Sequence, residues 1–477
     1  MIQTPLWSGH AVLRAVRGEG LGDWVAEGVS IDSRTLTPGD LFVALSGPNF
    51  DGHDFVPAAF EKGAAAALVS RRPEDLPHSA RLVVVEDTLA ALTGLGAAGR
   101  QRSAARVVAV TGSSGKTSTK EALRLALAEP GPAFASGASH NNHWGVPLSL
   151  SLLPRDARWG VFEIGMNHAG EIRPLVQLVR PHAVVITNIG VAHLENLGSR
   201  EAIADAKSEI FLGLEPDGVA VLPRDDDYFD RLLSNARAAG APTVVSYGRH
   251  RRADVRLLDQ RSDPEGSDLR VDVLGRVLAV RIGAPGAHWA HNALAVLATV
   301  AALDADLAAA SAALAQVRAL KGRGARERIA VTDGQLTLID ESYNANPYSM
   351  QAALSVLGQV RPGLTGRRIA VLGDMLELGE QGPALHADLA PHVVEAGADA
   401  AFLCGPQMAS LATALQGRVE VVHAADSTVL APLVSEEVRA GDVVLVKGSF
   451  GSRMRLVVDA LRSLDRGQAR GEAGHAL

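Results

Sequence analysis

The stretch from residue 106 to residue 129 restricts the fold of this 477-residue chain more than any other: RVVAVTGSSGKTSTKEALRLALAE. An apolar run of strand type leads into a glycine loop, and a helical pattern follows the loop. A strand, a glycine loop and a helix in this order place backbone N–H groups at a helix start, where they bind phosphate. The usual P-loop spacing needs a glycine where this chain has Val110, and the first glycine comes at Gly112.

The pattern predicts a nucleotide site in this loop. Backbone N–H groups would surround the phosphates, Lys116 would reach the β and γ phosphates, and the Thr117 hydroxyl would bind Mg²⁺. The alternative is a serine-rich turn that only caps the helix. The predicted ATP-binding residues of the loop are Gly112, Ser113, Ser114, Gly115, Lys116, Thr117 and Ser118.

Composition narrows the class of protein. The chain is 47% hydrophobic and 21% charged, as in a globular protein, and its formal charge of −7 argues against nucleic acid as a partner. No apolar run reaches the roughly 18 to 20 residues of a membrane span. With Cys404 as its one cysteine and no evident secretory signal, we expect a cytoplasmic protein. The sequence leaves the oligomeric state open, with a monomer favoured.

Alternating strand-type and helical stretches predict an α/β fold of three domains, over residues 1–86, 87–321 and 322–477. In the central domain, βαβ units indicate a mostly parallel sheet. After residue 321 the pattern restarts with LTLIDES, RRIAVLGDM, AAFLCG and DVVLVKGS, which predicts a second doubly wound domain.

Two polar residues follow successive predicted strands. Glu163 ends WGVFE, and His193 follows the next strand in ITNIGVAHLENLGS. Because parallel strands share one carboxyl edge, both residues should lie beside the glycine loop, where Glu163 could hold a metal. The alternatives are a solvated glutamate at a strand end and a structural histidine.

Only six of the 46 basic residues are lysines, at positions 62, 116, 120, 207, 321 and 447. Arginine therefore supplies most of the positive charge. A retained lysine is therefore more often one with a role that arginine cannot fill, because lysine is a compact point charge whose amine can lose its proton when it is buried. Lys207, in the predicted helix SREAIADAKSEIF, is otherwise an ordinary surface charge.

Several segments together resemble the ATP-dependent Mur ligases. The likeness runs in order along nearly the whole chain: TGSSGKTSTKE, NNHWGVPLSL, FEIGMNHAGEI, ITNIGVAHLENLGS, AKSEIF, IDESYNANPYSM, VLGDMLELGE and VLVKGS. A short G-x-x-G-K-[ST] loop is normal in that family, which accounts for Val110. The resemblance implies a three-domain Mur ligase architecture, with a UDP-muropeptide-binding domain, a central P-loop ATP-binding domain and a C-terminal ligase domain.

The resemblance also implies two Mg²⁺ ions. Thr117 and Glu163 would hold one ion and His193 would help to hold the second. Lys207 matches the lysine that most family members carry as a carbamate formed with CO₂. Lys116, Glu163, His193 and Lys207 would be the catalytic residues.

The remaining site residues follow from the same resemblance. Asn292 would contact the adenine, whereas His288 is followed by Trp289 instead of the usual asparagine. Arg323 and Arg326 are alternative contacts to the γ-phosphate, and Asp340 belongs to the nucleotide site. The implied substrate-binding residues are Ser33, Arg34, Asp51, His53, Asn141, Asn142, Tyr343, Asn344, Asn346, Lys447 and Ser449. The segment 141–147 departs from the frequent NNEIGVP form at His143 and Trp144.

The implied activity is an ATP-dependent ligation. It joins D-alanyl-D-alanine to UDP-N-acetylmuramoyl-tripeptide through an acyl phosphate and releases ADP and phosphate, as a step of peptidoglycan precursor synthesis. The alternatives are a related amide ligase such as a folylpolyglutamate synthase, and a nucleotide-gated switch that hydrolyses ATP without ligation. A phosphotransferase is disfavoured because no H-R-D-x-x-x-x-N catalytic loop occurs.

Overall fold

The computed structural model describes residues 5–129, 131, 133–137, 139–263 and 265–474. The outermost residues of the predicted first and third domains, 1–4 and 475–477, lie outside this range. Three sheets, formed within residues 19–84, 106–282 and 325–447, organise the chain. The domain boundaries predicted near residues 86 and 321 fall between these sheets. No helix in the described residues is long and apolar enough to cross a membrane.

The N-terminal domain is a five-stranded sheet with short helices. Three neighbouring pairs of strands are parallel, and the two-residue edge strand Glu19–Gly20 is antiparallel to its neighbour. In spatial order the strands are Glu19–Gly20, Leu82–Val84, Ala66–Val69, Asp40–Val43 and Gly28–Ser30. Two antiparallel ribbons and three helical segments complete the domain: Trp7–Ser8 with Val25–Ala26, Ser46–Gly47 with Phe50–Asp51, and Gly9–Val16, Gly52–Phe55 and Val56–Glu61.

The central domain contains a nine-stranded sheet with the P-loop strand Arg106–Thr111 near one end. Seven strands are parallel, and the last two are added as antiparallel hairpins. In spatial order they are Ala133–Ala135, Trp159–Glu163, Arg106–Thr111, Ala183–Ile186, Val219–Pro223, Thr243–Gly248, Val255–Asp263, Gly266–Val273 and Arg276–Ile282.

Helices cover both faces of this sheet and produce two separate apolar cores. One face carries the P-loop helix Lys116–Ala126 together with Ala287–Ala302 and Leu307–Leu314. The helical segments of the other face and of the connection from the first domain are Thr88–Arg102, Gly145–Ser151, Ile172–Val179, Leu194–Leu197, Arg200–Ser208, Glu209–Gly213 and Phe229–Ala238.

The C-terminal domain is a six-stranded, doubly wound sheet with one antiparallel edge strand. In spatial order its strands are Ala325–Val331, Gly334–Glu341, Val443–Lys447, Arg368–Gly373, Ala400–Cys404 and Glu420–Ala424. Its helical segments are Pro347–Gln359, Gly379–Gln381, Gly382–Ala387, Ala390–Glu395, Met408–Leu415, Ser427–Glu437, Phe450–Ser452 and Arg455–Gly474.

The architecture confirms the predicted α/β class with a parallel central sheet and a doubly wound third domain. The antiparallel extension over residues 255–282 was not predicted. Its second hairpin turns at Leu274 and Gly275, whose φ angles of 51° and 87° are those of a tight hairpin turn. A non-glycine residue at the first of these positions hides the turn from sequence inspection.

Candidate active site

The glycine loop lies at the carboxyl edge of the central sheet, as predicted. Gly112 has a φ of 147°, and a Cβ added there would lie 1.8 Å from Thr187 Oγ1. Gly115 has a φ of 78°, and its added Cβ would lie 2.9 Å from Asn292 Oδ1. Glycine is required at both positions because neither the conformation nor the space suits a side chain. The backbone is therefore free to approach a phosphate closely.

The strand-end segment that follows residue 186 fixes the serines of the loop. Ser114 N–H donates to Asn188 Oδ1 over 2.9 Å, and Asn188 Nδ2 donates to Ser114 Oγ over 2.8 Å. Gly190 N–H donates to Ser113 Oγ over 2.8 Å. Ser118, in the first turn of the helix, faces the same cavity. These bonds fix the conformation of the loop from its neighbouring strand end.

Thr117 and Glu163 meet at the base of the cavity. The Thr117 hydroxyl donates to Glu163 Oε2 over 2.6 Å, and Asn141 Nδ2 donates to Glu163 Oε1 over 2.8 Å. Lys116 Nζ donates to Gly112 O over 2.8 Å. Burial lowers the pKa of the Lys116 amine, while the nearby Glu163 partly offsets that effect. Hard oxygen donors from a carboxylate and a hydroxyl, side by side, suit a Mg²⁺ ion.

Asn142 supports this region through the backbone. Its Oδ1 accepts the N–H of Gly145, the first residue of the helix Gly145–Ser151, over 2.9 Å. Trp144 packs edge-on against Phe50 of the N-terminal domain, with ring centroids 5.9 Å apart. The departure from the usual family sequence at Trp144 thus serves a contact between domains.

Lys207 is buried, with 1% of its surface exposed. Burial, aided by Lys116, lowers its pKa well below the ordinary value for lysine. Among the described residues, no carboxylate lies within ion-pair distance of its amine. The side chain does not itself line the cavity. A buried amine with a lowered pKa loses its proton more readily, and the free amine can then react as a nucleophile.

His193 lines the cavity at the end of the next strand connection. Its Nδ1 lies 2.6 Å from Glu377 Oε2, a carboxylate of the C-terminal domain. The imidazole holds the pKa of the Glu377 carboxyl below its ordinary value. Glu163 and His193 thus line the same cavity as the glycine loop, but they lie on different walls of it.

Another side of the cavity contains Asn292 and two histidines. Asn292 and His288 both line it, and burial lowers the pKa of His288. His291 also lines the cavity, with Nε2 3.2 Å from Thr187 O and its ring 5.0 Å from the ring of Tyr247. Its position one turn after His288 on an alanine-rich helix was the available signal for His291.

The C-terminal domain supplies the opposite wall. Arg323 lines the cavity and stacks over the Tyr343 ring, 3.9 Å from its centroid. The hydroxyls of Tyr343 and Ser139 form a hydrogen bond between the domains. Arg326, the alternative contact to the γ-phosphate, does not line the cavity.

Asp340 and Glu341 lie on opposite faces of one strand, because successive strand residues alternate in direction. Glu341, which the sequence did not single out, lines the cavity and lies 3.2 Å from Lys447 Nζ. Asp340 points away from the cavity, where it accepts the Ser342 hydroxyl over 2.6 Å and lies 3.0 Å from Arg462 Nη2.

The remaining predicted residues of this domain form hydrogen bonds that link the loops around residues 344, 376 and 448. Lys447 Nζ donates to Asn344 O over 3.0 Å, and Ser449 Oγ accepts the Leu376 N–H over 2.8 Å. Asn346 caps the helix Pro347–Gln359 in a capping box with Ser349. All these predicted residues line the cavity, which has a volume of about 900 Å³.

The predicted residues of the N-terminal domain lie apart from this cavity. Exposed Arg34 pairs with Asp32 over 2.7 Å, and Ser33 O accepts Lys62 Nζ over 2.7 Å. Asp51 and His53 shape the adjacent loop. His53 Nδ1 lies 2.6 Å from Asp51 Oδ1, and its Nε2 accepts the Ser70 N–H over 2.9 Å.

A P-loop, a carboxylate beside its threonine and a cavity between two α/β domains define a nucleotide-binding protein of the P-loop type. Family models match three parts of the chain. They are the Mur ligase family catalytic domain over residues 25–100, the Mur ligase middle domain over residues 110–300, and the Mur ligase glutamate ligase domain over residues 326–450.

Comparison with individual proteins agrees with these matches. The UDP-N-acetylmuramoyl-tripeptide–D-alanyl-D-alanine ligases of Escherichia coli and Bacillus subtilis are 38% and 36% identical to this chain. They cover 92% of it, and 94% and 93% of their own lengths are matched. A crystal structure of MurF from Acinetobacter baumannii matches with a TM-score of 0.80, 31% identity and coverage of 96% of this chain and 99% of that one. The chain belongs to the Mur ligase family.

Two further solved structures, both of complexes with ADP, also match this chain. MurF from Thermotoga maritima in complex with ADP matches with a TM-score of 0.74 and 26% identity, over 92% of this chain and 98% of that one. FolC from E. coli, in complex with DHPP and ADP, has a TM-score of 0.57 at 18% identity, over 78% of this chain and 93% of that one. The second likeness is one of fold alone.

Proposed function

We propose that this chain joins D-alanyl-D-alanine to UDP-N-acetylmuramoyl-tripeptide, with ATP converted to ADP and phosphate. The relatives that carry this activity in their names match the chain along nine-tenths of its length. The observation that carries the proposal is the single cavity that joins the glycine loop to Tyr343, Asn344 and Lys447. A phosphate site and a second substrate wall face each other there, as a ligation requires.

The first step transfers the γ-phosphoryl group to the tripeptide carboxylate and gives an acyl phosphate. A carboxylate is a poor electrophile toward an amine, and the phosphoryl group converts one of its oxygens into a leaving group. The chain positions the reactants and balances charge. Lys116 and Arg323 supply positive charge from opposite walls, and Asn292 reaches the same loop from the base side.

Thr117 and Glu163 fit a Mg²⁺ ion, since their oxygens already lie together at the phosphate end of the cavity. His193 and Lys207, the latter as a carbamate, would serve a second ion. Lys207 fits carbamate formation because its buried amine loses its proton readily and has no carboxylate partner among the described residues. When bound, Mg²⁺ supplies charge neutralisation at the phosphates.

The second step is attack of the dipeptide amine on the acyl carbon, after which phosphate leaves. Buried Lys447 and partly exposed Glu341 form an ion pair at the C-terminal wall, so they offer both charges to a zwitterionic dipeptide. Water would hydrolyse the acyl phosphate, and the enclosing walls of the two domains limit its access. The Asn142 hydrogen bond to Gly145 N–H and the Asn346 cap fix the loops that form these walls.

Phosphate release tests the proposal directly. Purified protein is incubated with ATP and Mg²⁺, and with UDP-N-acetylmuramoyl-tripeptide and D-alanyl-D-alanine singly and together. Release that needs both substrates, with the pentapeptide product detected by mass spectrometry, is expected. Release that is indifferent to both would contradict the ligase and favour the nucleotide-gated switch. Release with glutamate and a folate would identify the folylpolyglutamate-type alternative.

A further inference from the structure

A buried lysine on the P-loop helix Lys116–Ala126 has no part in the phosphoryl transfer step. Lys120 is fully buried and lies one turn after Lys116. Its Nζ donates to Ser136 O, and it forms an ion pair with Glu121 Oε1 over 3.0 Å. A buried ammonium group needs partners of this kind, because leaving it without them would be costly. The Ser136 carbonyl is the partner that lies in another segment of the chain.

Ser136 connects this amine to the strand that ends in Glu163. It follows the strand Ala133–Ala135 directly and is 2% exposed. Its N–H donates to Val161 O over 2.9 Å, and its Oγ accepts the Glu163 N–H over 3.2 Å. The carbonyl that Lys120 holds therefore belongs to the residue that fixes the backbone of Glu163.

Asn141 fixes Glu163 a second time, from the same connection between the strand Ala133–Ala135 and the next helix. Besides the 2.8 Å bond from Asn141 Nδ2 to Glu163 Oε1, Asn141 O accepts the Gly165 N–H over 2.8 Å. The connection that begins at Ser136 thus bonds both the backbone and the carboxylate of Glu163.

The P-loop helix consequently holds Glu163 in two ways. The Thr117 hydroxyl donates directly to the carboxylate, and Lys120 holds the segment that bonds Glu163 from its other side. Thr117 and Lys120 are three residues apart, so they lie on the same side of the helix. A compact ammonium group suits a closed site with one carbonyl and one carboxylate better than the larger fork of arginine, which gives a physical reason for lysine at this position.

We propose that Lys120 is a positioning residue. It sets the place of the Glu163 carboxylate through Ser136 and Asn141, and thereby the affinity of this site for Mg²⁺. Among the described residues that line the cavity Lys120 does not occur, so it acts through this segment and not on the reacting groups. The effect on Mg²⁺ rests on the proposed function, whereas the effect on the position of Glu163 does not.

The first measurement is amide hydrogen exchange in the full-length protein without nucleotide or metal. The N–H groups of Glu163 and Gly165 report on the two backbone bonds to the connecting segment. In Lys120→Met we expect both to exchange roughly 5- to 10-fold faster, the effect of about one lost hydrogen bond. Thr119→Val is the control, because Thr119 is a buried neighbour whose hydroxyl has no hydrogen-bond partner among the described residues. It should exchange as the wild type does. Unchanged exchange in Lys120→Met would overturn the proposal.

The second measurement is the Mg²⁺ concentration that half-saturates binding of a fluorescent ATP analogue. In both Lys120→Met and Ser136→Ala we expect it to rise about 10-fold, as for residues that orient metal ligands, with unchanged binding in the absence of Mg²⁺. Because both substitutions break one route, the double variant should show about the effect of Lys120→Met alone, whereas independent effects would multiply. A general loss of structure would instead weaken binding with and without Mg²⁺ alike.

Ser136→Ala removes one oxygen atom, so it tests the route even if Lys120→Met does not fold. A wild-type Mg²⁺ dependence in Ser136→Ala, or independent effects in the double variant, would overturn the proposal. Binding of the analogue by the wild type without any dependence on Mg²⁺ would count against the metal site of the proposed function. Hydrogen exchange would still decide whether Lys120 positions Glu163.

Discussion

Four of the six lysines of this chain are buried or lie against the glycine loop. Lys120, Lys207 and Lys447 are each at most 2% exposed, and Lys116 faces the glycine loop. Arginine could not replace Lys207 without placing a permanent charge in a buried site. The use of lysine in place of arginine thus indicated candidate positions, although it did not identify their partners.

Lys207→Met should change the pH dependence of stability. The folded-state pKa of Lys207 lies well below that of the unfolded chain, so the unfolded state binds more protons between the two values. The free energy of unfolding of the wild type should rise across this window, relative to Lys207→Met, by about 1.4 kcal/mol per pH unit. Unfolding measured in CO₂-free buffer between pH 8 and pH 10 checks this. Lys62→Met replaces an exposed lysine and is the control. Its free energy of unfolding should change with pH in the same way as that of the wild type.

Glu163→Gln keeps the shape of the side chain and removes its charge. We expect the ligation rate to fall by about 100-fold or more, because a lost metal ligand costs several kcal/mol of barrier stabilisation. Binding of a fluorescent ATP analogue should also lose its dependence on Mg²⁺. Glu171→Gln removes a carboxylate from the same cavity, where it contacts His168, and serves as the control. Equal effects of the two substitutions would argue against a metal site at Glu163.

Secondary structure elements place the site at the carboxyl edge of the central sheet. The strands Arg106–Thr111, Trp159–Glu163 and Ala183–Ile186 are parallel neighbours, so the segments that follow them emerge together. The order of the helix-forming and strand-forming stretches predicts this edge. It does not predict which of Asp340 and Glu341 faces inward, since both belong to one strand and alternation permits either register.

Gly112→Ala should damage the glycine loop more than an ordinary glycine substitution. The added methyl group would overlap Thr187 Oγ1, and the φ of 147° is itself unfavourable for alanine. We expect loss of ATP binding and a lower melting temperature. Gly240 has a φ of 86° and open space around an added Cβ, so Gly240→Ala measures the conformational cost alone, about 1–3 kcal/mol. Nucleotide titration and thermal unfolding of both variants give the comparison.

The whole molecule depends on contacts between its three sheets. Arg102, at the end of the connecting helix, stacks over Trp7, 3.8 Å from its ring centroid, and donates to Leu6 O over 2.5 Å. The same guanidinium donates to Ser151 O over 3.2 Å in the central domain. This residue therefore joins the first domain to the second.

Arg102→Met should loosen that junction selectively. We expect faster amide hydrogen exchange in the ribbon formed by Trp7–Ser8 and Val25–Ala26, because both a cation–π contact and carbonyl bonds are lost. Arg106→Met also removes an arginine that lies over a tryptophan and donates to a carbonyl, but entirely within the central domain. In Arg106→Met, amide hydrogen exchange in the ribbon should therefore be as slow as in the wild type. If the ribbon amides of Arg102→Met exchanged as slowly as those of the wild type, contacts other than those of Arg102 would hold the junction.

The sequence by itself determined the fold class, the family and the order of the elements around the glycine loop. Local chemistry decides these features: glycines permit the loop, and the alternation of strands and helices requires crossover connections. The sequence also grouped Lys116, Thr117 and Glu163, because each lies at or just after the carboxyl end of a predicted strand.

The tertiary structure alone decided which residues face each other across the domains. It paired His193 with Glu377, chose Arg323 over Arg326 for the cavity wall, and turned Glu341 inward in place of Asp340. Residues far apart in the chain meet through domain docking and strand register, and neither leaves a periodic signal in the sequence. For the same reason the sequence could not predict the contact of Trp144 with Phe50, which lies in another domain.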